Sequence, residues 1–272
     1  MNIQDWKRIG VEYGKDILTV KVPPYCDILT MGHVPSLAEP AKKIENALSN
    51  PIGSKTIEDI VASSKKHPFR VVVAVIVSDN TRPVPYNAGS GEGILFPILK
   101  RLKKVGVRNE NIRIIVGTGT HLPTSSKWKK EALGEAIADS YTIIDHDSTS
   151  PDLFSIGNVD GIEVKINKEF ITADVRIATG LVEPHFTAGV SGGRKAICPG
   201  LMNLEATYLF HGVEFTDNRN STNLVLENNP CHKFALKVAR KVGGGLHYKS
   251  YYKWGWKIDK PFLFHKRIKI SV

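Results

Sequence analysis

RVVVAVIVSD, residues 70–79, decides the fold class of this chain. Its seven consecutive apolar residues, most of them β-branched, are typical of a strand that is buried on both faces. Strands of that kind belong to parallel sheets with a helical layer on each side. Three similar runs follow along the chain: IRIIV (112–116), YTIID (141–145) and DVRIAT (174–179). These four runs predict a parallel sheet built around residues 70–79.

Helical segments separate the predicted strands. Apolar periodicity and capping residues predict helices at 36–49 (opened by Ser36), 56–64, 93–105, 124–138 (capped by Thr124 or Ser125), 203–211 and 230–242. The same patterns predict a β-hairpin at 9–22 and a further strand at IEVKI (162–166). Strands that alternate with helices imply right-handed crossovers. The predicted fold class is α/β: a Rossmann-like, mostly parallel sheet with helices on both faces.

The formal net charge of +10 is concentrated in the last segment. From Gly245 onward seven Lys and Arg residues accompany one Asp, so the rest of the 272-residue chain carries a net charge of only +4. Lysines and aromatic residues alternate in HYKSYYKWGWK (247–257), a pattern that also suits a nucleic-acid surface. We favour a strand pair with solvated lysines there, because the body of the chain is nearly balanced in charge.

Cysteine usage and hydropathy exclude several protein classes. Cys26, Cys198 and Cys231 are far apart and no C-x-x-C pair occurs, so neither a disulfide framework nor a structural zinc site is indicated. The N-terminus lacks the basic-then-apolar pattern of a signal peptide. The longest apolar run, 71–77, is too short to cross a bilayer. We therefore expect a cytoplasmic protein with neither a membrane nor a nucleic-acid partner.

Polar turns follow four of the predicted strands. They are SDNTRP (78–83), GTGTH (117–121), DHD (145–147) and GLVEPH (180–185). In parallel α/β sheets, ligands bind just beyond the carboxyl ends of the strands. We therefore expect the four turns to meet at one edge of the sheet and to form the functional site there.

The first of these turns contains Asp79 and Arg82. The planar guanidinium of Arg82 can bind a carboxylate or a phosphate with two parallel hydrogen bonds. Asp79 could orient that guanidinium or accept a hydrogen bond from a ligand hydroxyl. The alternative is an Asp–Arg pair that only closes the turn.

The second turn, GTGTHLP (117–123), offers small residues and backbone N–H groups to a ligand, with His121 at its tip. Its candidate binding residues are Gly117, Thr118 and Gly119. It is not a dinucleotide fingerprint, because Leu122 stands where the third glycine is required.

A longer loop, EPHFTAGVSGGRKAICPG (183–200), follows the last predicted strand. His185 opens it, and its N–H groups can form a nest for an anion at Ser191, Gly192 and Gly193. Lys195 ends the glycine-rich part with an amine that can be covalently modified. The loop fails the P-loop pattern, although a generic phosphate-binding loop remains open.

His211 ends the predicted helix at 203–211, where the helix dipole favours a histidine even without a functional role. Together His121, His185 and His211 permit either a metal site or acid–base chemistry. The residue pattern alone does not decide between the two.

In this order, the motifs resemble the nickel-pincer lactate racemase family. The matching spans are YGKDILTVKVP (13–23), NPIGS (50–54), SDNTRPVP (78–85), GTGTHLP, DHD, EPHFTAGVSGGRKAICPG and the NP before the last helix. The resemblance runs from about Gly10 to Val242. It implies a cofactor-binding domain over residues 1–243, with 244–272 as an atypical basic, aromatic tail in place of the family's C-terminal domain, and hence a truncated chain.

The resemblance also implies a cofactor and roles for the site residues. The cofactor is the nickel-pincer nucleotide, a pyridinium-3,5-bisthiocarboxylate mononucleotide that holds nickel. Lys195 matches the lysine that carries it as a thioamide, His211 the nickel ligand, and His121 and His185 the two catalytic bases. Asp79 and Arg82 match the family's D-x-x-R site. Cofactor contacts are expected from Gly117, Thr118, Gly119, Ser191, Gly192 and Gly193.

The implied activity is that of a racemase or epimerase, an isomerase of a small 2-hydroxyacid. Hydride leaves C2 as the hydroxyl loses its proton, and it returns to the other face of the ketoacid. One histidine serves each enantiomer. Arg194 departs from the small residue of lactate racemase itself, and an extra cation there suits a second anionic group. The enzymes that make the cofactor are implied partners.

Three alternatives remain open. The first is a non-catalytic domain that binds or carries the cofactor. The second is a zinc hydrolase using His121, His185 and His211, for which no H-E-x-x-H spacing is present. The third is a nucleic-acid binder that uses the tail.

Overall fold

A computed structural model of the chain describes residues 5–28, 38–87, 93–243 and the backbone of 267–271. The described residues fall into two compact units. Residues 5–28 belong to the first unit, and the second contains all the other described residues. The charged and aromatic segment 247–257, with the strand pair predicted for it, lies outside the described residues, as does Ser36.

Helices and strands alternate through the second unit as the sequence predicts. The strands are β1 (Lys7–Tyr13), β2 (Asp16–Val22), β3 (Val73–Ser78), β4 (Ile112–Gly117), β5 (Thr142–Asp145), β6 (Phe154–Val159), β7 (Ile162–Ile166), β8 (Val175–Val182), β9 (Pro184–His185), β10 (Gly189–Val190) and β11 (Arg267–Ser271). The α-helices are α1 (Pro40–Ser49), α2 (Ile57–Ala62), α3 (Leu95–Lys104), α4 (Ser126–Leu133), α5 (Glu135–Ser140), α6 (Lys168–Ile171), α7 (Leu204–Phe210), α8 (Val213–Thr216) and α9 (Pro230–Val242).

The first unit contains the predicted hairpin. Strands β1 and β2 pair antiparallel from Lys7 opposite Val22 to Tyr13 opposite Asp16. The two-residue loop between them begins at Gly14, whose φ is +64°. Hairpin loops of two residues need a positive φ, and glycine adopts one without a steric penalty.

The second unit is built on one five-stranded sheet, in the order β11-β8-β3-β4-β5. Strands β8, β3, β4 and β5 are parallel, and β11 pairs antiparallel with β8 at the edge. From β3 the chain moves outward to β5 and then returns to β8 on the other side of β3. The strand order therefore reverses between β3 and β8, and such switch points are where α/β sheets bind ligands.

Alternate residues of β3 contribute to two separate hydrophobic cores. Val73, Val75 and Val77 lie in one core, with side chains of α1, α2 and α3. Ala74 and Ile76 lie in the other, with side chains of α7 and α9. The sheet is thus covered on both faces, which confirms the predicted fold class and explains the unbroken apolar run of β3.

The strand predicted at 162–166 is confirmed as β7, and the structure adds a partner for it. β7 pairs antiparallel with β6 across a turn at Asp160 and Gly161, apart from the main sheet. Both turn residues have positive φ, so this Asp-Gly pair is a hairpin signal that the sequence analysis missed. The helix predicted over 124–138 is two helices, because Gly134 between α4 and α5 has a φ of +102°.

We expect Ile114→Ala to lower the free energy of unfolding by about 2–5 kcal/mol, since Ile114 is fully buried at the centre of β4. Ile52→Ala makes the same chemical change at a side chain that is 93% exposed, and should change stability by less than about 0.5 kcal/mol. Urea unfolding of both variants measures the difference. Similar losses of unfolding free energy in the two variants would contradict the position of Ile114 in the first of the two cores.

Candidate functional site

A cleft opens at the carboxyl ends of β3, β4 and β8. Of the predicted site residues, it is lined by Asp79, Arg82, Gly117, Thr118, Gly119, His121, His185, Ser191, Gly192, Lys195 and His211. Gly193 is not among the lining residues and begins the 3₁₀ turn that carries Lys195. The site residues drawn from three separate turns therefore come together at the predicted edge of the sheet.

Asp79 lies directly beyond β3 and is only 3% exposed. Its Oδ1 accepts hydrogen bonds from the N–H and the hydroxyl of Thr81, at 3.1 and 2.6 Å. Its Oδ2 lies 2.6 Å from Nδ1 of His121. An ionised carboxylate only accepts hydrogen bonds, so Nδ1 carries the proton and Nε2 of His121 keeps its lone pair. This arrangement makes His121 a proton acceptor oriented by a buried carboxylate.

Arg82 has a different carboxylate partner from the one that the sequence suggested. Its guanidinium donates to Glu183, which follows β8, and not to Asp79. The turn itself is closed by the backbone, with Arg82 N–H donating to the Asp79 carbonyl at 3.2 Å. Asp79 therefore does not orient the Arg82 guanidinium, and the two residues close the turn through their backbones alone. Glu183 had no predicted role, although it stands just after a buried strand.

The glycine-rich turn after β4 is held by the loop at 196–202. Gly119 has a φ of +59°, and its N–H donates to the Gly200 carbonyl at 3.0 Å. The hydroxyl of Thr118 donates to the carbonyl of His146 at 2.5 Å. Nε2 of the buried His146 ring lies 2.9 Å from the Met202 carbonyl, so His146 links both segments.

The DHD turn lies at the predicted edge of the sheet, because β5 is parallel to β4, but its residues are not among those that line the cleft. Asp145 accepts hydrogen bonds from the N–H and hydroxyl of Thr124 and from Lys129. Asp147 accepts from Thr149 within its own turn. The three polar side chains are therefore used for internal contacts, and the sequence analysis did not identify the structural role of His146.

His185 ends β9 and is buried, with its ring stacked on Phe186. Nδ1 accepts hydrogen bonds from the backbone N–H groups of Thr187 and Ala188, at 3.3 and 3.2 Å. Nε2 lies 3.0 Å from Nζ of Lys195. Burial, together with the positive charges of Lys195 and Arg82, lowers the pKa of His185 to about 3. The ring is therefore neutral near pH 7.

Lys195 projects into the cleft from the 3₁₀ turn Gly193–Ala196. Burial is the largest of the effects that together lower the pKa of its amine to about 8; the guanidinium groups of Arg194 and Arg82 act in the same direction and Cys198 in the opposite one. Nζ also lies 5.9 Å from the centre of the Phe210 ring. An amine with a lowered pKa is a better nucleophile near neutral pH than an ordinary lysine.

Arg194 does not add a cation to the cleft. Its side chain is buried, and Nη2 donates to the carbonyls of Ala188 and Val190 at 2.6 and 3.2 Å. Its guanidinium thus shapes the 183–200 loop from within, and Arg194 is not among the lining residues. The second anion site that the sequence suggested at this residue is not supported.

His211 caps the C-terminal end of α7, where its N–H donates to the Thr207 carbonyl at 3.0 Å. Its ring packs at 5.1 Å from that of Phe210. Within the described part of the chain the ring makes no hydrogen bond. Partial burial, Lys195 and His121 lower the pKa of His211, so its ring is a neutral imidazole available to a ligand in the cleft.

A search of the described ranges finds no group of three or more His, Cys, Asp and Glu side chains able to hold a metal ion. In the same ranges, no helix combines the length and apolar character that crossing a membrane requires.

The family model of the lactate racemase N-terminal domain matches residues 13–223. The chain belongs to this family.

Two lactate racemases illustrate the similarity within the family. The protein of Thermoanaerobacterium thermosaccharolyticum is 34% identical over 243 residues, which are 86% of this chain and 54% of that protein. The protein of Lactiplantibacillus plantarum is 35% identical over 199 residues, 72% of this chain and 44% of that protein. The chain thus spans about half the length of the curated relatives it matches.

Solved structures agree with the fold. The lactate racemase apoprotein of T. thermosaccharolyticum superposes with a TM-score of 0.71 at 32% identity, covering 87% of this chain and 54% of that chain. A Thermotoga maritima protein superposes with a TM-score of 0.56 at 20% identity, covering 74% and 47%. The second likeness shows the fold alone.

Proposed function

We propose that this chain binds the nickel-pincer nucleotide and supplies the proton-transferring groups of a 2-hydroxyacid racemase or epimerase. The observation that carries the proposal is the Asp79–His121 pair in the same cleft as His185 and the low-pKa amine of Lys195. A proton acceptor and a nucleophilic attachment point are the two groups that such a reaction needs from the protein. The proposed substrate is a small, lactate-like 2-hydroxyacid.

The residues present fit that cofactor. Lys195 would hold it covalently through its amine, and the His211 ring, which has no internal hydrogen bond, would be the protein ligand to nickel. One imidazole from the protein would suffice, because the cofactor would bring the other donors, and nickel accepts imidazole together with soft donors. The chemistry that such a group supplies when bound is the reversible removal of hydride from C2 of the hydroxyacid.

The small residues around the cleft would contact the cofactor mainly through their backbones. The Ser191 hydroxyl donates to the Leu181 carbonyl at 2.7 Å and accepts from Glu183 N–H at 3.0 Å. The Thr118 hydroxyl is likewise used internally. We therefore assign both side chains to holding the two turns open, so that backbone N–H groups can approach a ligand closely.

His121 would take the substrate hydroxyl proton at Nε2, and the buried carboxylate of Asp79 would stabilise the imidazolium that forms. The family resemblance implies the same role for His185 with the opposite enantiomer. The N–H groups of Thr187 and Ala188 hold Nδ1 unprotonated, so the ring proton would have to leave Nε2 before that nitrogen could accept a substrate proton. Lys195 lies against Nε2 of His185, so the amine must give up this contact before that nitrogen can meet a substrate hydroxyl. Attachment of the cofactor to Lys195 would therefore precede catalysis by His185.

Arg82 would anchor the substrate carboxylate, and Arg82→Lys should raise the KM for the hydroxyacid about tenfold with a smaller change in kcat. Lysine keeps the charge and loses the planar fork that binds a carboxylate with two hydrogen bonds. Initial rates of the cofactor-loaded protein with each enantiomer measure the effect. Arg108→Lys, at an exposed arginine paired with Glu110 at 3.5 Å, is the matched control. An unchanged KM in the Arg82 variant would remove Arg82 from substrate binding.

The proposal as a whole is tested by expressing the chain together with the cofactor-making enzymes, which are its proposed partners. Intact mass should then show an adduct of the cofactor, and optical rotation should follow the interconversion of D- and L-2-hydroxyacids. An adduct without racemisation would favour a cofactor carrier. Hydrolysis of added esters or amides with zinc, and no adduct, would favour the hydrolase.

A further inference from the structure

We propose that, before any cofactor is attached, His185 stabilises the neutral form of the Lys195 amine by donating a hydrogen bond from its Nε2–H to the amine lone pair. The inference deepens the proposed function and rests on it only in naming Lys195 as the attachment point. It gives His185 a second task, the activation of the lysine.

The contacts of Nδ1 fix the tautomer of His185. The backbone N–H groups of Thr187 and Ala188 both point at this nitrogen, at 3.3 and 3.2 Å. Backbone amides can only donate, so Nδ1 must be the acceptor. The hydroxyl of Thr187, at 3.4 Å, can rotate to donate or accept and does not alter that requirement. A neutral imidazole carries one proton, which is therefore on Nε2.

The polarity of the His185–Lys195 contact follows. Nε2–H lies 3.0 Å from Nζ of Lys195. An ammonium group has three donors and no acceptor, so it would place one donor against another at that distance. A neutral amine has a lone pair and accepts the hydrogen bond. The contact therefore describes the neutral form of Lys195 beside a neutral His185, and the hydrogen bond stabilises that form relative to the ammonium.

The groups around the amine favour the same state. Arg82 follows β3 in the chain and is paired with Glu183. Arg194 directly precedes Lys195 in the same loop. His211 on α7 and the thiols of Cys198 and Cys231 complete the titratable surroundings. Burial and the two guanidinium groups act against a charged amine, and Cys198 and Cys231 act for it. The largest effect is burial, which opposes the charge.

A neutral lysine in this position is prepared to attack an activated acyl or thioacyl carbon. A new N–C bond forms as the bond from that carbon to its leaving group breaks and takes the electron pair. The amine then loses its surplus proton to the leaving group or to water. After acylation the nitrogen is no longer basic, so the lysine can no longer return to the charged form.

Acetylation with the N-hydroxysuccinimide ester of acetic acid tests the proposal on the protein without cofactor. Peptide mass spectrometry gives the rate at Lys195 relative to Lys127, whose side chain is 83% exposed. His185→Phe keeps a buried ring and removes the donor, so the relative rate at Lys195 should fall about tenfold near pH 7. If Lys195 were an ammonium that donates to Nε2, the same substitution would remove an acceptor that stabilises the charge, and the rate would rise.

The ¹⁵N chemical shifts of the His185 ring give a second measurement that needs no variant. They should show a protonated Nε2 and an unprotonated Nδ1 near pH 7, and the reverse tautomer would overturn the proposal even if His185→Phe does not fold. Neither measurement requires the cofactor. Failure of the proposed function would show instead as normal acetylation of Lys195 with no cofactor adduct.

Discussion

Lys195→Ala is expected to abolish the covalent cofactor adduct entirely. Among the described residues that line the cleft, Lys195 is the only lysine, and its amine combines a lowered pKa with a position in the same cleft as the proposed nickel ligand His211. Alanine has no nucleophile to replace it. Intact mass of the variant, expressed with the cofactor-making enzymes, should equal the mass of the bare polypeptide.

The pKa of His185 provides a second measurement on the same variant. At the low pH where His185 titrates, Lys195 is charged and is the largest charge effect on His185 after burial, so its removal should raise the pKa of His185 toward the ordinary range, which an NMR titration can follow. Lys233→Ala is the control, because this exposed lysine donates a hydrogen bond to the Asn228 side chain, at 2.9 Å, outside the cleft and should leave the adduct intact. An adduct of unchanged mass on the Lys195 variant would refute the assignment of the attachment point.

The sheet and its functional edge could be predicted because their signals are local. An unbroken apolar run such as 71–77 is compatible with burial on both faces, and two cores indeed meet at β3. Polar residues just after such strands must lie at one edge of a parallel sheet, whatever the loops do. The positions of these turns after the strands therefore predict that His121, His185 and Lys195 share one cleft, although they do not predict the contacts among them.

Partners that are distant in sequence could not be predicted in the same way. Arg82 had a nearby carboxylate in Asp79, but the fold brings Glu183 to its guanidinium from the end of a neighbouring strand. The buried ring of His146 connects two segments through backbone carbonyls, which carry no side-chain signature. The hairpin of β6 and β7 is a different case, since its Asp-Gly turn was present in the sequence and was overlooked.

Asp79→Asn is expected to lower the kcat of racemisation by roughly 10²–10⁴-fold, with little change in stability. Thr81 determines which atom of the asparagine amide would face His121. Its N–H and hydroxyl both donate to Oδ1 of Asp79, so the amide oxygen of the asparagine stays at that position. The amide NH₂ then faces Nδ1 of His121, at the position where Oδ2 now lies 2.6 Å away. An NH₂ group only donates, so it would force the His121 proton onto Nε2 and remove the lone pair that accepts the substrate proton.

Two separate measurements test this substitution: one reports the tautomer of the His121 ring and the other the rate of racemisation. ¹⁵N shifts of the His121 ring should show the proton on Nδ1 in the parent protein and on Nε2 in the Asp79 variant, whether or not the sample turns over substrate. Racemisation by the loaded protein then gives the loss in rate. Asp147→Asn, at an exposed carboxylate that caps Thr149, makes the same chemical change outside the cleft and should affect neither. A variant with the switched tautomer and an undiminished kcat would show that His121 is not the base. An unswitched tautomer would show that Thr81 does not fix the amide, because the oxygen must then have turned toward His121.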